Sequence, residues 1–282
     1  MPVARRNLRK GAAPAGAPAA KTARKRPVLR AVSDSPLMVN SVQKAFRVLK
    51  AFDKAQPRLT LTQIAAKLDV DKSTAQRFVH TLEAMGYLDK DSVTKTLGLS
   101  VKVLDLAHIY LTTSPLITTA IPYLMHLNQE TGETVNLTVL DGPDVVFVSR
   151  LVGNHLLSTG VGVGTRLPAY CSAAGVAMLS VLEADELKKI LDASELRLYT
   201  PQTIHEPPRI RERLKQTRSK GYAIGISEYF LNDISIGAPI IDRGGRPIGA
   251  ISLAISKDRL SPKEAENAFA SRVLAAAQSV RI

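Results

Sequence analysis

The chain of 282 residues has no tryptophan, and aromatic residues are only 5% of a composition that is 45% apolar. Any hydrophobic core must therefore consist mainly of leucine, valine, isoleucine and alanine. The one cysteine, Cys171, excludes an intramolecular disulfide framework and fits a reducing compartment. No apolar run approaches the roughly 18 residues of a membrane span, and the N-terminus lacks the apolar segment of a secretory leader. We therefore expect a cytoplasmic protein, long enough for two modest domains.

Positive charge is concentrated in the first third of the chain. Of a net charge of +13, residues 1–36 carry +8, residues 37–100 carry +4 and residues 101–282 only +1. This asymmetry predicts a polyanionic partner for the N-terminal part. Residues 1–36 hold too few large apolar side chains to form a core, which predicts a disordered basic tail. The tail is either a solvated leader or an arm that adds non-specific DNA affinity.

The next segment has the apolar spacing of short helices. Residues 41–52 carry an apolar helical stripe, with Ser41 or Asn40 as a plausible cap. Residues 59–70 predict a second helix, for which Thr62 is a suitable cap. Only about three residues separate it from a third helical pattern. Two short helices joined by a tight turn indicate a helix-turn-helix unit.

The third helix is predicted over residues 71–85, and a β-hairpin follows it over residues 87–99. The hairpin resembles a wing, with Lys90 and Lys95 near its tip. Together these elements predict a winged helix-turn-helix DNA-binding domain over residues 37–99. The second helix of such a unit is the one that enters the major groove.

One face of the third helix is apolar, and the other carries short polar donors and an arginine. Arginine can bind O6 and N7 of guanine, and glutamine can bind adenine. Free N–H groups in the first turn can hold a phosphate beside Ser73 or Thr74. Ordinary solvated polar residues are the alternative, and the pattern does not separate base contacts from phosphate contacts. The predicted DNA-binding residues are Thr62, Lys72, Ser73, Thr74, Gln76, Arg77, His80, Lys90 and Lys95.

A linker helix is predicted over residues 100–114, and a second domain over residues 115–282. The linker's stripe of Val101, Leu104, Ala107 and Leu111 fits either a contact with a second copy or docking on its own domain. The second domain alternates hairpin patterns, at 134–152 and 234–256, with helical patterns. Hairpins rather than βαβ repeats predict an antiparallel sheet with helices packed against it, an α+β fold.

The second domain has few sequence features that are typical of a catalytic or metal site. It has no HExxH, CxxC, phosphate-loop or GxSxG motif. Cys171 has no obvious catalytic partner, because His155 and His205 lie in separate segments, and a small buried residue is the simpler interpretation. We therefore expect no catalytic site, no metal site and no cofactor. Two alternatives stay open: an enzyme for small organic acids with an appended DNA-binding domain, and an architectural DNA-binding protein.

The stretch "LPAYCSAAG" leads from an extended segment into a helix that Ser172 can cap. The small residues Ala173, Ala174 and Gly175 leave the first N–H groups open to a ligand carboxylate. Close packing of the helix on the sheet would explain the same small residues.

Several motifs in order resemble the IclR-type (isocitrate lyase regulator) transcription factors. They are "SVQKAFRVLKAF", "LTLTQIAAKLDVDKSTAQRFVHTLEAMGYL", "LGLSVKVLDLA", "VGTRLPAYCSAAGVAML", "YTPQTI" and "LKQTRSKGYAIGISEYFLNDISIGAPIIDRGGRPIGAISL". The resemblance covers roughly residues 39–280. It implies a winged helix-turn-helix, a linker helix and a GAF-like effector domain. It also implies homodimers or homotetramers on operator DNA, controlled by a small organic acid and regulating a catabolic operon.

The same resemblance implies the effector-binding positions. In family members that bind small 2-oxo acids, an aspartate stands where this chain has Gly225, and a cysteine where it has Ser235. The loss of that aspartate leaves space and favours a larger ligand, such as an aromatic acid, with Ser235 as a hydroxyl donor. The implied effector-binding residues are Leu156, Thr159, Leu167, Ser172, Ala173, Ala174, Gly225 and Ser235.

Overall fold

The computed structural model describes residues 37–154 and 160–282, so the tail predicted for residues 1–36 lies outside the described residues. The N-terminal elements are α1 (Asn40–Leu49), β1 (Arg58–Leu59), α2 (Leu61–Leu68), α3 (Lys72–Ala84), β2 (Leu88–Lys90) and β3 (Leu97–Leu99). The three strands form a small antiparallel sheet in the order β1-β3-β2. The winged helix-turn-helix is therefore confirmed. Its third strand, β1, was not predicted.

The N-terminal core joins all these elements. Aliphatic side chains from the three helices and the three strands meet there, and they are Val48, Leu59, Ile64, Leu68, Val79, Leu82, Leu88 and Leu97. A core of this composition is the one that the scarcity of aromatic residues predicts. It fixes α3 by its inner face, so the opposite face of α3 stays exposed.

Two predicted helix caps are wrong. Helix α1 begins at Asn40 itself, with Val39 before it and no side-chain cap, so neither Asn40 nor Ser41 has that role. Thr60, not Thr62, caps α2, because its Oγ1 accepts the Gln63 backbone N–H at 3.3 Å. The Gln63 side chain accepts the Thr60 N–H at 2.8 Å in return. Such a reciprocal capping box satisfies two N–H groups at once, and Thr62 lies in the first turn of the helix.

The linker helix α4 (Val103–Thr113) starts three residues after the predicted boundary, and α5 (Pro115–Thr131) follows it. Of the predicted stripe, only Leu111 packs against the core of the second domain. Val101 and Leu104 are 79% and 59% exposed, and no residue of α4 is buried. The stripe as a whole therefore does not dock on its own chain.

The second domain contains a six-stranded sheet whose neighbouring strands are all antiparallel, in the order β6-β5-β4-β9-β8-β7. The predicted antiparallel sheet is confirmed. Two short edge strands, β6 and β7, extend the two predicted hairpins. The strands are β4 (Thr134–Asp141), β5 (Asp144–Leu151), β6 (Arg166–Pro168), β7 (Ala223–Ile226), β8 (Asp233–Ile241) and β9 (Pro247–Ser256), and the helices are α6 (Ala173–Ser180), α7 (Ala184–Ala193), α8 (Pro207–Lys220) and α9 (Pro262–Ser279).

The sheet is covered on both faces. On one face the side chains are apolar and pack against α5 and α9, with Val135, Leu137, Ile234, Ile251 and Leu253 at the centre. On the other face lie α6 and the short 3-10 turn Ala169–Cys171 that precedes it. Because side chains alternate between the two faces of a strand, the residues next to that apolar set face α6.

Candidate functional site

The outer face of α3 carries the polar side chains that the sequence predicts for DNA contact. Lys72, Gln76, Arg77 and His80 are exposed, whereas Ala75, Val79 and Leu82 are buried and hold the helix to its domain. A helix held in this way presents a fixed polar surface of the width that a major groove accepts.

The prediction of open N–H groups at the start of α3 is wrong at Thr74. The Asp71 carboxylate caps the helix, accepting the Thr74 N–H at 2.8 Å. It also accepts the hydroxyls of Ser73 and Thr74, each at 2.6 Å. These hydrogen bonds lower the pKa of Asp71, and the bond from the Ser73 hydroxyl has the largest effect. The negative charge of Asp71 at this end of the helix repels a phosphate. Ser73 and Thr74 could bind a DNA phosphate only by giving up their hydrogen bonds to Asp71.

The other predicted DNA-binding residues lie on accessible surfaces. Thr62 is exposed on α2, Lys90 ends β2, and Lys95 is exposed in the turn between β2 and β3. Lys95 has a positive φ of 57°. The turn is also held by Arg58, which donates to the Thr96 backbone oxygen and hydroxyl, both at 3.0 Å. Arg58 is a basic side chain at the wing that the sequence analysis missed.

A cavity of about 50 Å³ lies between the polar face of the sheet and the N-terminal end of α6. Five of the predicted effector residues line it, namely Leu167, Ser172, Ala173, Ala174 and Ser235. Aromatic side chains from Phe147, Tyr229 and Phe230 form a further part of the wall. The predicted residues Leu156 and Thr159, like His155, lie outside the described residues.

The N-terminus of α6 is both a cavity wall and a close-packed contact. Ser172 caps the helix as predicted, accepting the Gly175 N–H at 3.2 Å. A β-carbon on Gly237 of β8 would lie 2.7 Å from the Ala174 nitrogen, and one on Gly175 would overlap the Ala169 backbone. The first turn is therefore less open than predicted, because backbone covers part of it.

The expected space at Gly225 is already filled. Gly225 does not line the cavity, and a β-carbon there would lie 3.0 Å from Ser235 Oγ and 3.6 Å from Glu228 Oε1. Arg213 of α8 binds Glu228 through two bonds of 2.7 Å and also donates to the Ile224 carbonyl. Burial raises the pKa of Glu228, and Arg213 opposes that shift. This ion pair separates the cavity from an open groove of about 690 Å³ along α8 and β7.

The charged and polar residues on the cavity floor were not predicted from the sequence. Cross-strand pairing places Arg150 beside Asn136 and Asn136 beside Ser252 on three neighbouring strands. Arg150 Nη1 donates to Asn136 Oδ1 at 2.8 Å, and burial lowers the pKa of Arg150. Burial raises the pKa of Asp233 to about 7, against the effects of Ser235 and Arg150. The sequence did contain a signal for this polar floor, because polar residues stand at alternate positions of strands that were predicted to be covered by helices.

Cys171 lies in the cavity wall, 2% exposed, and burial raises its thiol pKa to about 12. A thiol that stays protonated is a poor nucleophile. His205 is not part of the wall, and its Nδ1 lies 3.3 Å from the Thr203 carbonyl. Within the described ranges 37–154 and 160–282, no cluster of three or more His, Cys, Asp or Glu side chains forms a metal site.

Family models match most of the chain. The model of the IclR helix-turn-helix domain matches residues 41–92, and the model described as "Bacterial transcriptional regulator IclR C-terminal" matches residues 108–282. This chain belongs to the IclR family of bacterial transcriptional regulators. It is a DNA-binding regulator in which the cavity belongs to the family's C-terminal, effector-binding domain.

Relatives in this family match the chain along most of its length. The Pca regulon regulatory protein of Pseudomonas putida is 30% identical over 253 residues, which are 89% of this chain and 86% of the relative. The p-hydroxybenzoate hydroxylase transcriptional activator of Acinetobacter baylyi is 30% identical over 80% of this chain and 84% of its own length. The transcriptional repressor IclR of Escherichia coli is 27% identical over 89% of this chain and 93% of its own.

Solved structures of bacterial regulators share the fold. A transcriptional regulator from Rhodococcus sp. RHA1 has a TM-score of 0.75 at 28% identity and covers 86% of this chain and 97% of its own. An IclR homologue of Microbacterium hydrocarbonoxydans, crystallised with 4-hydroxybenzoate, has a TM-score of 0.72 at 23% identity and covers 85% of this chain and 97% of its own. Within the described residues of the present chain, every helix is too short or too polar to cross a membrane.

Proposed function

We propose that this regulator binds operator DNA as a homodimer or homotetramer and that a small organic acid in the α6 cavity changes its affinity for the operator. The observation that carries the proposal is the polar floor of the cavity. The sheet is covered on both faces, and such a sheet is normally apolar on both. Here the face under α6 carries Asn136, Arg150, Asp233 and Ser235, which the fold alone does not need.

The walls of the cavity support an aromatic acid as effector. Phe147, Tyr229 and Phe230 supply apolar contact, and Arg150, Ser172 and Ser235 supply polar groups. Two relatives point to aromatic chemistry: the p-hydroxybenzoate hydroxylase activator by its name, and the Microbacterium homologue by its bound 4-hydroxybenzoate. Ser235, which lines the cavity, is proposed as the hydroxyl donor to this acid.

The size of the cavity links binding to a conformational change. A cavity of roughly 150 Å³ accommodates benzene in an engineered protein, whereas this one has about 50 Å³. An aromatic acid therefore requires the wall to move. A ligand that fits only the expanded arrangement shifts the population toward it, which is the condition for control of a distant DNA site.

The exposed linker supports assembly. Besides Val101 and Leu104, the side chains of Leu106, Ile109 and Tyr110 are more than half exposed on α4 or beside it. A second copy of the chain would bury these residues and place two α3 helices on one operator, as the spacing of paired half-sites requires. We take this surface as the contact between copies.

One titration tests the proposal. DNA selected from random duplexes by the protein is labelled, and binding is followed by fluorescence anisotropy with and without each member of an organic-acid panel. We expect at least two chains per site and one class of acid that changes the affinity fivefold or more, a coupling of about 1 kcal/mol. An architectural protein would select no sequence and respond to no acid, and an enzyme would consume the acid during the assay.

A further inference from the structure

Two opposite charges share the floor of the cavity without pairing. Arg150 Nη1 is directed to Asn136 Oδ1, at 2.8 Å, rather than to the Asp233 carboxylate. Asp233 Oδ1 is buried and has no hydrogen-bond partner among the residues that the structure describes. A buried oxygen without a partner costs free energy. Ser235 forms a side-chain hydrogen bond with the Asp233 carboxyl, so the arrangement leaves the Arg150 guanidinium and the Oδ1 atom of Asp233 available to a ligand.

The net charge of the side chains around the cavity decides whether ionised or protonated Asp233 is compatible with a bound anion. Arg213 and Glu228 compensate each other through their paired bonds of 2.7 Å. The charges that then have to be considered are those of Arg150 and Asp233. If Asp233 is ionised, a ligand carboxylate meets a buried like charge, which is unfavourable. If Asp233 is protonated, Arg150 provides one uncompensated positive charge and Asp233 provides an O–H donor.

The other groups around Asp233 do not change this balance. The Cys171 thiol is neutral at physiological pH because burial raises its pKa to about 12. Asp258, in the turn after β9, accepts a bond from Asn232 at 2.5 Å beside Lys257. The described residues add the phenol of Tyr229 in the cavity wall, the hydroxyl of Ser235 on the same strand and the hydroxyl of Ser256 opposite Asp233 on β9.

We propose that the cavity selects a monocarboxylate and binds it together with a proton, so that the ligand carboxylate lies between the Arg150 guanidinium and the protonated carboxyl of Asp233. This proposal rests on the effector function proposed above. The raised pKa of Asp233, about 7, means that the protonated form is accessible at physiological pH. A bound anion raises that pKa further, because like charges disfavour ionisation.

Proton uptake gives the affinity a defined pH dependence. If only protonated Asp233 accepts the ligand, the dissociation constant is flat below the pKa of Asp233 and rises tenfold per pH unit above it. With a pKa of about 7, we expect binding roughly tenfold weaker at pH 8 than at pH 6. The same linkage predicts an uptake of about 0.9 proton per ligand at pH 8 and about 0.1 at pH 6.

Isothermal titration calorimetry of the full chain tests this. Propionate, benzoate and 4-hydroxybenzoate serve as probes, because their carboxylates stay ionised from pH 6 to pH 8. Each titration is run in two buffers of different ionisation heat, which counts the protons. In the variant Asp233→Asn we expect no uptake and no pH dependence. The matched control, Asp192→Asn, removes a carboxylate that only pairs with Lys188 on the surface, at 3.0 Å, and should behave as wild type.

The outcomes separate this proposal from the effector function. Binding by the wild-type chain without proton uptake at pH 8 overturns the proton-linked site, and this measurement needs no variant. Uptake that persists in Asp233→Asn, with a folded protein by circular dichroism, also overturns it. If none of the three acids binds at pH 6, the monocarboxylate class is wrong, whereas a response of operator binding to some other ligand would keep the effector function.

Discussion

At the scale of single residues, Arg77 offers the sharpest test of DNA recognition. It is exposed on α3, and replacing it with alanine removes the only arginine of that helix without touching the buried face. We expect Arg77→Ala to weaken binding to the selected operator by about 1–3 kcal/mol if the guanidinium binds a guanine. Fluorescence anisotropy on operator and on random duplexes measures the difference.

Arg211→Ala is the matched control, because Arg211 is an exposed arginine on α8, far along the chain from the winged helix-turn-helix. It should leave operator binding unchanged. Equal losses on operator and random DNA in Arg77→Ala would show that Arg77 contacts only phosphate.

Exposed residues of the candidate DNA-binding surface were predictable from the sequence, whereas the buried polar residues of the cavity were not. The helical spacing of α3 placed Gln76, Arg77 and His80 on the outer face, and they are exposed. It did not show that the Asp71 carboxylate binds the hydroxyls of Ser73 and Thr74. Strand alternation divides residues between two faces, but only tertiary structure shows that the face with Arg150 and Asp233 encloses a cavity.

At the scale of elements, the contact between α6 and the 3-10 turn before it depends on glycine. A β-carbon on Gly175 would overlap the backbone of Ala169, and that backbone belongs to the 3-10 turn that leads into the helix. The contacting atoms of Ala169 are backbone atoms, which cannot move aside as the end of a flexible side chain can. We expect Gly175→Ala to lower the free energy of unfolding by about 3 kcal/mol through overpacking, measured by urea denaturation.

Gly162→Ala is the control for that substitution. A β-carbon at Gly162 would meet no atom of the described residues within 4 Å, and its φ is not in the positive region. We expect a change of less than about 1 kcal/mol, with stabilisation possible through the restricted unfolded chain. If the two variants are equally stable, backbone packing does not limit the position of α6.

The start of α9 follows from the sequence, because a side chain caps that helix. A serine followed by a proline is a sequence signal for the start of a helix, and at Ser261-Pro262 the serine caps α9 in a capping box with Glu264. No such signal exists at α1, which has no side-chain cap. The two-residue strand β1 pairs with β3 about forty positions later, and a pairing that distant leaves no periodicity in a two-residue segment.

At the scale of the whole molecule, positive charge is concentrated in the N-terminal part of the chain. The basic excess is in residues 1–100, and the second domain is nearly neutral. The exposed apolar residues of α4 lie between the two regions. The two features have different consequences, because the charged segment attracts any DNA, whereas assembly through α4 would set the spacing of the two α3 helices.

The tail gives the charge asymmetry a measurable consequence. Residues 1–36 carry a net +8, and each phosphate contact contributes about 0.9 to the slope of log K against log salt concentration. We expect deletion of the tail to reduce that slope on random DNA by at least about 2 and to weaken binding most at low salt. A full-length chain with the nine tail lysines and arginines replaced by glutamine separates charge from length, and it should match the deletion. An unchanged slope in both variants would show that the tail contributes nothing to DNA binding and that the basic surface of the winged helix-turn-helix accounts for all of it.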